Sequence, residues 1–250
     1  MSFDWDIRHF PNADSFRQYL ATLPRPVWCT GMTVHHTVIP TVATWRGRES
    51  MDALGRFYRD DVQNPDGSKG WSAGPQLFIG PDGIWQGTPV HHRGVHAGVC
   101  NSTRIGIEVV GNYDNTGWQP PIKGYVYDAL TLLCQWLGVE SPRINGHRDC
   151  NSPKTCPGRA IDLDLVRLQV QTLLSPAPLR AVWIAAGGVG HKDTALGWIP
   201  GPGLPTGPVV SAPDGNGILQ RCERMYIGID RNGVARFPLL TELAAWGITV

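Results

Sequence analysis

Arg104-Ile105-Gly106-Ile107-Glu108-Val109-Val110 reads as a β-strand, because apolar and β-branched residues surround a single charge. Alternation puts Ile107 and Val109 on one face and Gly106, Glu108 and Val110 on the other. A carboxylate on such a strand is costly unless it is paired, exposed or used. Outward from it, Met32 to Thr37 (MTVHHT) forms another strand. Gln76 to Gly80 and Ile84 to Gly87 flank Pro81-Asp82-Gly83, whose Asp-Gly step signals a hairpin. Arg48 to Asp61 brings Met51, Leu54 and Tyr58 onto one helical face. Val126, Ala129, Leu130, Leu133 and Leu137 form a second helical stripe, closed by Gly138 as the C′ residue. Arg143 to Gly146 adds a strand and Asp162 to Leu174 a last helix. Short strands interleaved with helices predict an α/β domain, a sheet flanked by helices.

Composition bounds the function. Among 250 residues, 42% are hydrophobic and 17% charged, the balance of a chain that buries a core. Twenty-two Lys+Arg against 21 Asp+Glu leave a formal charge of +1, too weak a field to hold a phosphate backbone, so nucleic acid is not expected as a partner. No segment reaches the roughly 20 uninterrupted apolar residues that span a bilayer, so membrane insertion is not expected. The start, MSFDWDIRHF, lacks the apolar run of a secretory signal, and the expectation is cytoplasmic synthesis. Cys29, Cys100, Cys134, Cys150, Cys156 and Cys222 show no regular spacing, which argues for reduced thiols, one of them available as a ligand. Ser175-Pro176-Ala177-Pro178 ends the last helical pattern and marks a domain break. Residues 176–250 are rich in Gly and Pro yet carry Trp183, Trp198, Tyr226, Phe237 and Trp246, which suits a small, loop-rich module.

Three features carry chemistry: His35-His36 in the first strand, Glu108, and His147 followed nine residues later by Cys156. Each alone has an ordinary explanation as an exposed or satisfied side chain. Together they offer the nitrogen and sulfur donors that zinc accepts, and three protein ligands leave a fourth position open. Lys154 stands two residues before Cys156 in a loop where a surface lysine would also be unremarkable. Trp71 and Trp85, beside the hairpin, suit either core packing or stacking on a sugar.

Val34-His35-His36-Thr37, Gly94-Val95-His96-Ala97-Gly98, Asn101 with Ile105-Gly106-Ile107-Glu108, and Gly146-His147 followed by Lys154-Thr155-Cys156-Pro157 occur in one order. In that order the chain resembles the zinc-dependent N-acetylmuramoyl-L-alanine amidases of type 2, the group that includes phage lysins and peptidoglycan recognition proteins. The resemblance covers about residues 30–170 and leaves 176–250 unmatched. It implies a mixed central sheet, a catalytic domain over 1–175, and one Zn²⁺ held by His35, His147 and Cys156. His36 then points to the opposite face. It implies Glu108 as acid/base, Lys154 beside the reacting carbonyl, and His96 and Asn101 along the substrate groove. A subgroup uses a tyrosine just after a glycine ahead of the hairpin, where this sequence has Gly74-Pro75, and that places more weight on Glu108. The implied substrate is bacterial peptidoglycan, cut between N-acetylmuramic acid and L-alanine by a bacteriolytic hydrolase released through a holin. A recognition protein that only binds, or a cytoplasmic wall-recycling amidase, are the alternatives. The 176–250 module would then bind the cell wall.

Overall fold

In the computed structural model, residues 3–150, 153–174, 205–211, 218–222, 226–229 and 235–236 are described. Six strands, β1 (Arg8–Phe10), β2 (Gly31–His36), β3 (Leu77–Gly80), β4 (Gly83–Gln86), β5 (Arg104–Val109) and β6 (Ile144–Gly146), form one sheet in the order β1-β4-β3-β5-β2-β6. Pairing is parallel from β3 through β5 and β2 to β6, and antiparallel from β3 through β4 to β1. The sheet is therefore mixed, as the resemblance implied. Register lines up His9, Trp85, Phe78, Glu108 and His35 as successive cross-strand partners in one row. Alternation sends Met32, Val34, Leu77, Ile79, Ile105, Ile107 and Val109 to the other face, all fully buried.

Helices close both faces. On the face of the row, α2 (Arg48–Arg56) brings Met51 and Leu54 against Phe78, Trp85 and Val110. The stretch read as one helix to Asp61 ends in a π turn, Phe57–Asp61, which turns Tyr58 into the same cluster. α3 (Ile122–Leu137) buries Val126, Ala129, Leu130, Leu133 and Leu137 and is stopped by Gly138, whose φ of 61° is the left-handed cap the sequence called for. Each fully buried Leu or Phe contributes roughly 1.5–3 kcal/mol, so the core rests on these alternating and helical stripes. β1 and α1 (Ala13–Ala21) were not anticipated. β1 has only three residues, too few to show alternation. α1 is capped by Asn12, which accepts the Ser15 N–H, and buries Phe16 and Leu20.

The chain divides into two compact units, Met1–Arg167 and Leu168–Val250, with the division inside α4 (Leu163–Leu174). In the second unit, β7 (Pro205–Ser211), β8 (Ile218–Cys222), β9 (Tyr226–Ile229) and β10 (Ala235–Arg236) make an antiparallel sheet in the order β10-β9-β8-β7. The break expected at 175–178 lies outside the described residues, as do Trp183, Trp198, Phe237 and Trp246. Among the described residues no helix is long and apolar enough to cross a membrane.

One expectation is corrected. Cys100 and Cys150 form a disulfide, with Cα atoms 5.9 Å apart across 50 residues, whereas reduced thiols were expected. Cys150, in the turn after β6, lies over β2 with its Sγ 3.8 Å from Thr33 Oγ1, and there it meets Cys100 from the turn before β5. No cysteine spacing could announce that proximity. Cys29, Cys134 and Cys156 are free and buried.

Candidate metal centre and active site

Three adjacent parallel strands deliver the polar residues. His35 lies near the carboxyl end of β2, Glu108 beside it near the end of β5, and His147 directly after β6. The crevice beyond the carboxyl ends of parallel strands is where such sheets place their sites. Cys156 comes from the following loop, which Arg148 gathers: its guanidinium donates to the carbonyls of Thr155 (3.4 Å), Gly158 (3.0 Å) and Ile161 (2.8 Å). The Arg148 N–H adds a bond to the Cys156 carbonyl at 3.0 Å. Arg148 thus positions the second and third candidate ligands together, a role no motif announced. Ligand atoms of His35, His147 and Cys156 all lie within 4.8 Å of one another.

Burial dominates the electrostatics. His35 is 2% exposed, and its pKa is held well below the usual histidine value by burial and then by the positive potential of His96, His147 and Lys154. Burial and then Lys154 push His147 down to about 4. The Cys156 thiol is pushed up to about 12 by burial and by the Glu108 charge, although the His36 N–H, 3.3 Å from Sγ, favours the thiolate. Glu108, 8% exposed, is raised to about 8 by burial, with Lys154 acting in the opposite direction. Its Oε1 is 3.8 Å from His35 Nδ1, and its Oε2 is buried without a hydrogen-bond partner. Two neutral imidazoles, a thiol that ionises only beside a cation, and an orphaned carboxylate oxygen fit a divalent ion with nitrogen and sulfur preference, as zinc has.

The remaining sequence candidates fall into place differently. Lys154 acts electrostatically on Glu108, His35, His147 and Cys156, which puts its charge at the site. The His36 ring accepts the Tyr113 N–H at Nδ1 (3.2 Å), away from the ligand cluster. His96 and Asn101, expected along the groove, spend their polar atoms internally. Asn101 Oδ1 accepts the backbone N–H groups of His96 (2.9 Å) and Ala97 (2.7 Å). The His96 ring, pushed down to about 4 by burial, lies against Gly106, where a Cβ would come within 2.5 Å of it. The glycine of Ile105-Gly106-Ile107-Glu108 is there because that ring needs the space. Trp85 packs against His9 and Trp45, and Trp71 stacks on Tyr58, so both tryptophans serve the interior. Tyr58 was read only as a core residue, yet its phenol pKa is raised by burial and then by Glu108 and Cys156.

A family profile described as N-acetylmuramoyl-L-alanine amidase matches residues 24–159, more than half of the chain and a span that holds His35, Glu108, His147 and Cys156. The chain belongs to this family. Among curated relatives of this amidase-family chain, a mouse N-acetylmuramoyl-L-alanine amidase is 30% identical over 134 residues, 51% of this chain and 24% of the mouse protein. The chain thus spans about a quarter of that relative's length. A silk moth (Bombyx mori) peptidoglycan recognition protein is 27% identical over 150 residues, 57% of this chain and 70% of that one. Among solved structures, the amidase LysC from Clostridium intestinale matches with 20% identity and a TM-score of 0.43, covering 56% of this chain and 83% of that one. A Drosophila PGRP-LB Y78F mutant, solved with tracheal cytotoxin, matches with 21% identity and a TM-score of 0.43, covering 65% and 86%.

Proposed function

We propose that this chain is a zinc-dependent N-acetylmuramoyl-L-alanine amidase that hydrolyses the amide between N-acetylmuramic acid and L-alanine of bacterial peptidoglycan, acting as a wall-lysing endolysin. The observation that carries this reading is the convergence of His35, His147 and Cys156 with the orphaned Glu108 carboxylate at one strand-end crevice. His35, His147 and Cys156 would hold the ion, which supplies Lewis acidity to an attacking water and to the scissile carbonyl. Glu108 takes the water's proton on its carboxylate and returns it to the departing nitrogen of L-alanine. The Glu108 carboxyl, raised to about 8 by burial with Lys154 acting against that rise, holds a proton readily, and a cation held beside it by His35, His147 and Cys156 would draw it toward the ionised base. Lys154 also stabilises negative charge that develops on the carbonyl oxygen. Desolvation by the neighbouring aromatic cluster strengthens both effects.

Cytoplasmic synthesis followed by holin-type release, with the second unit holding the wall, completes the lysin reading. Mass spectrometry of muropeptides after digestion of purified walls tests it. Release of peptides with a free L-alanine amine, the glycan strands staying intact, is the expected result. New reducing ends, or cleavage within the stem peptide, would contradict it. The silk moth relative is named a recognition protein, and a chain that binds walls without releasing any peptide would be a recogniser of that kind. Activity confined to soluble fragments would instead indicate a recycling enzyme.

A further inference from the structure

His96 lies outside the proposed ligand set, yet its ring is 6% exposed and hydrogen-bonded at both nitrogens. Nε2 is 3.1 Å from the carbonyl oxygen of Arg104, and Nδ1 is 3.0 Å from Nε2 of His35. A carbonyl oxygen can only accept, so His96 Nε2 carries the hydrogen. A neutral imidazole has one N–H, and a buried ring with no carboxylate bonded to it is neutral. His96 Nδ1 is then a lone pair, and His35 Nε2 must donate to it. His35 is left with its lone pair on Nδ1, the nitrogen that faces Glu108.

We infer that His96 is a positioning residue that relays the Arg104 carbonyl to His35 and fixes His35 in the tautomer whose Nδ1 is free to bind a metal. Ligating histidines are generally oriented by a partner on their second nitrogen; here that partner is another histidine, itself anchored to the backbone of β5. Gly106 completes the device, since any side chain at that position would displace the His96 ring. Asn101 fixes the same ring from its backbone side by binding the His96 N–H. The inference rests on the zinc reading only for its purpose. The tautomers themselves follow from hydrogen bonds within the protein.

Long-range ¹⁵N–¹H correlation of the imidazoles in the full-length, metal-stripped protein at neutral pH reads the relay without zinc or substrate. Both His35 and His96 are expected neutral and protonated at Nε2. His96→Leu removes the acceptor, so His35 should lose its single tautomer and zinc affinity should fall about 10–100-fold. His96→Asn, whose Oδ1 sits close to where Nδ1 was, should restore the His35 tautomer and most of the affinity. A role in packing alone would favour Leu over Asn. Wild-type protein with His35 protonated at Nδ1 would overturn the relay, as would a folded Leu variant with unchanged tautomer and affinity. If the Leu variant does not fold, the wild-type spectrum and the Asn variant decide. Wild-type spectra as expected from a chain that takes up no zinc would leave the relay standing and overturn the metal reading instead.

Discussion

Trp85 and Phe78, on β4 and β3, occupy the same cross-strand row as Glu108 and His35, on β5 and β2. The first pair sits in a buried apolar cluster with Trp45, Met51, Leu54, Tyr58 and Val110 under α2. The second pair faces His147 and Cys156 beyond the strand ends. One row thus carries apolar packing where its pairing is antiparallel and the candidate site residues where it is parallel, and the halves are not independent. Phe78 is the immediate neighbour of Glu108, and burial is what raises that carboxyl to about 8. The aromatic half supplies both stability and the low dielectric in which the polar half works.

This contrast can be broken in three places. Phe78→Ala, at a side chain with no exposure, should cost about 3–5 kcal/mol of stability, read by denaturant unfolding. It should also lower the Glu108 pKa toward its ordinary range by admitting water. A loss under 1 kcal/mol would show that the cluster is not the core of this half. Cys150→Ser removes the tie between the turns on either side of β2 and should cost about 2–4 kcal/mol, with zinc uptake through the proposed His35, His147 and Cys156 site unchanged. Zinc content and unfolding measured together check this.

The third place is a pH dependence of the metal-free protein. His96 and His147 titrate near 4 when folded and near 6.5 when unfolded. Between those values the unfolded chain binds protons that the folded chain does not, so melting temperature should fall as pH drops from about 6.5 to 4. Glu108 has the opposite sign. Its folded value of about 8 exceeds its ordinary 4.5, so its contribution is lost as pH rises through that window. Above pH 6.5, where the histidines are silent, wild type should soften toward pH 8 and Glu108→Gln should not. Parallel melting curves for the two proteins would remove Glu108 from the buried row.

Much of this was legible in the sequence for definable reasons. Alternation around Glu108, the Asp82-Gly83 step and the Gly138 cap each encode local geometry, and each produced the expected element. The four-motif resemblance pointed to His35, His147 and Cys156, which the fold brings together. What stayed hidden depends on register. Cys100 meets Cys150 across 50 residues over β2, and His96 meets His35 across 61 residues through a space that Gly106 leaves open. Gly106 was the available signal, since a glycine inside a buried strand marks a close approach.

Glu108→Gln, assayed on a soluble muropeptide with zinc content and melting temperature measured on the same preparation, bears most directly on the division of the row. The substitution keeps shape and removes only the ability to carry the proton. Hydrolysis should fall about 10²–10⁴-fold, the usual cost of losing a general acid/base, with zinc content unchanged and the fold intact. Hydrolysis within a few-fold of wild type would contradict the role assigned to Glu108 and leave the polar half of the row without its base.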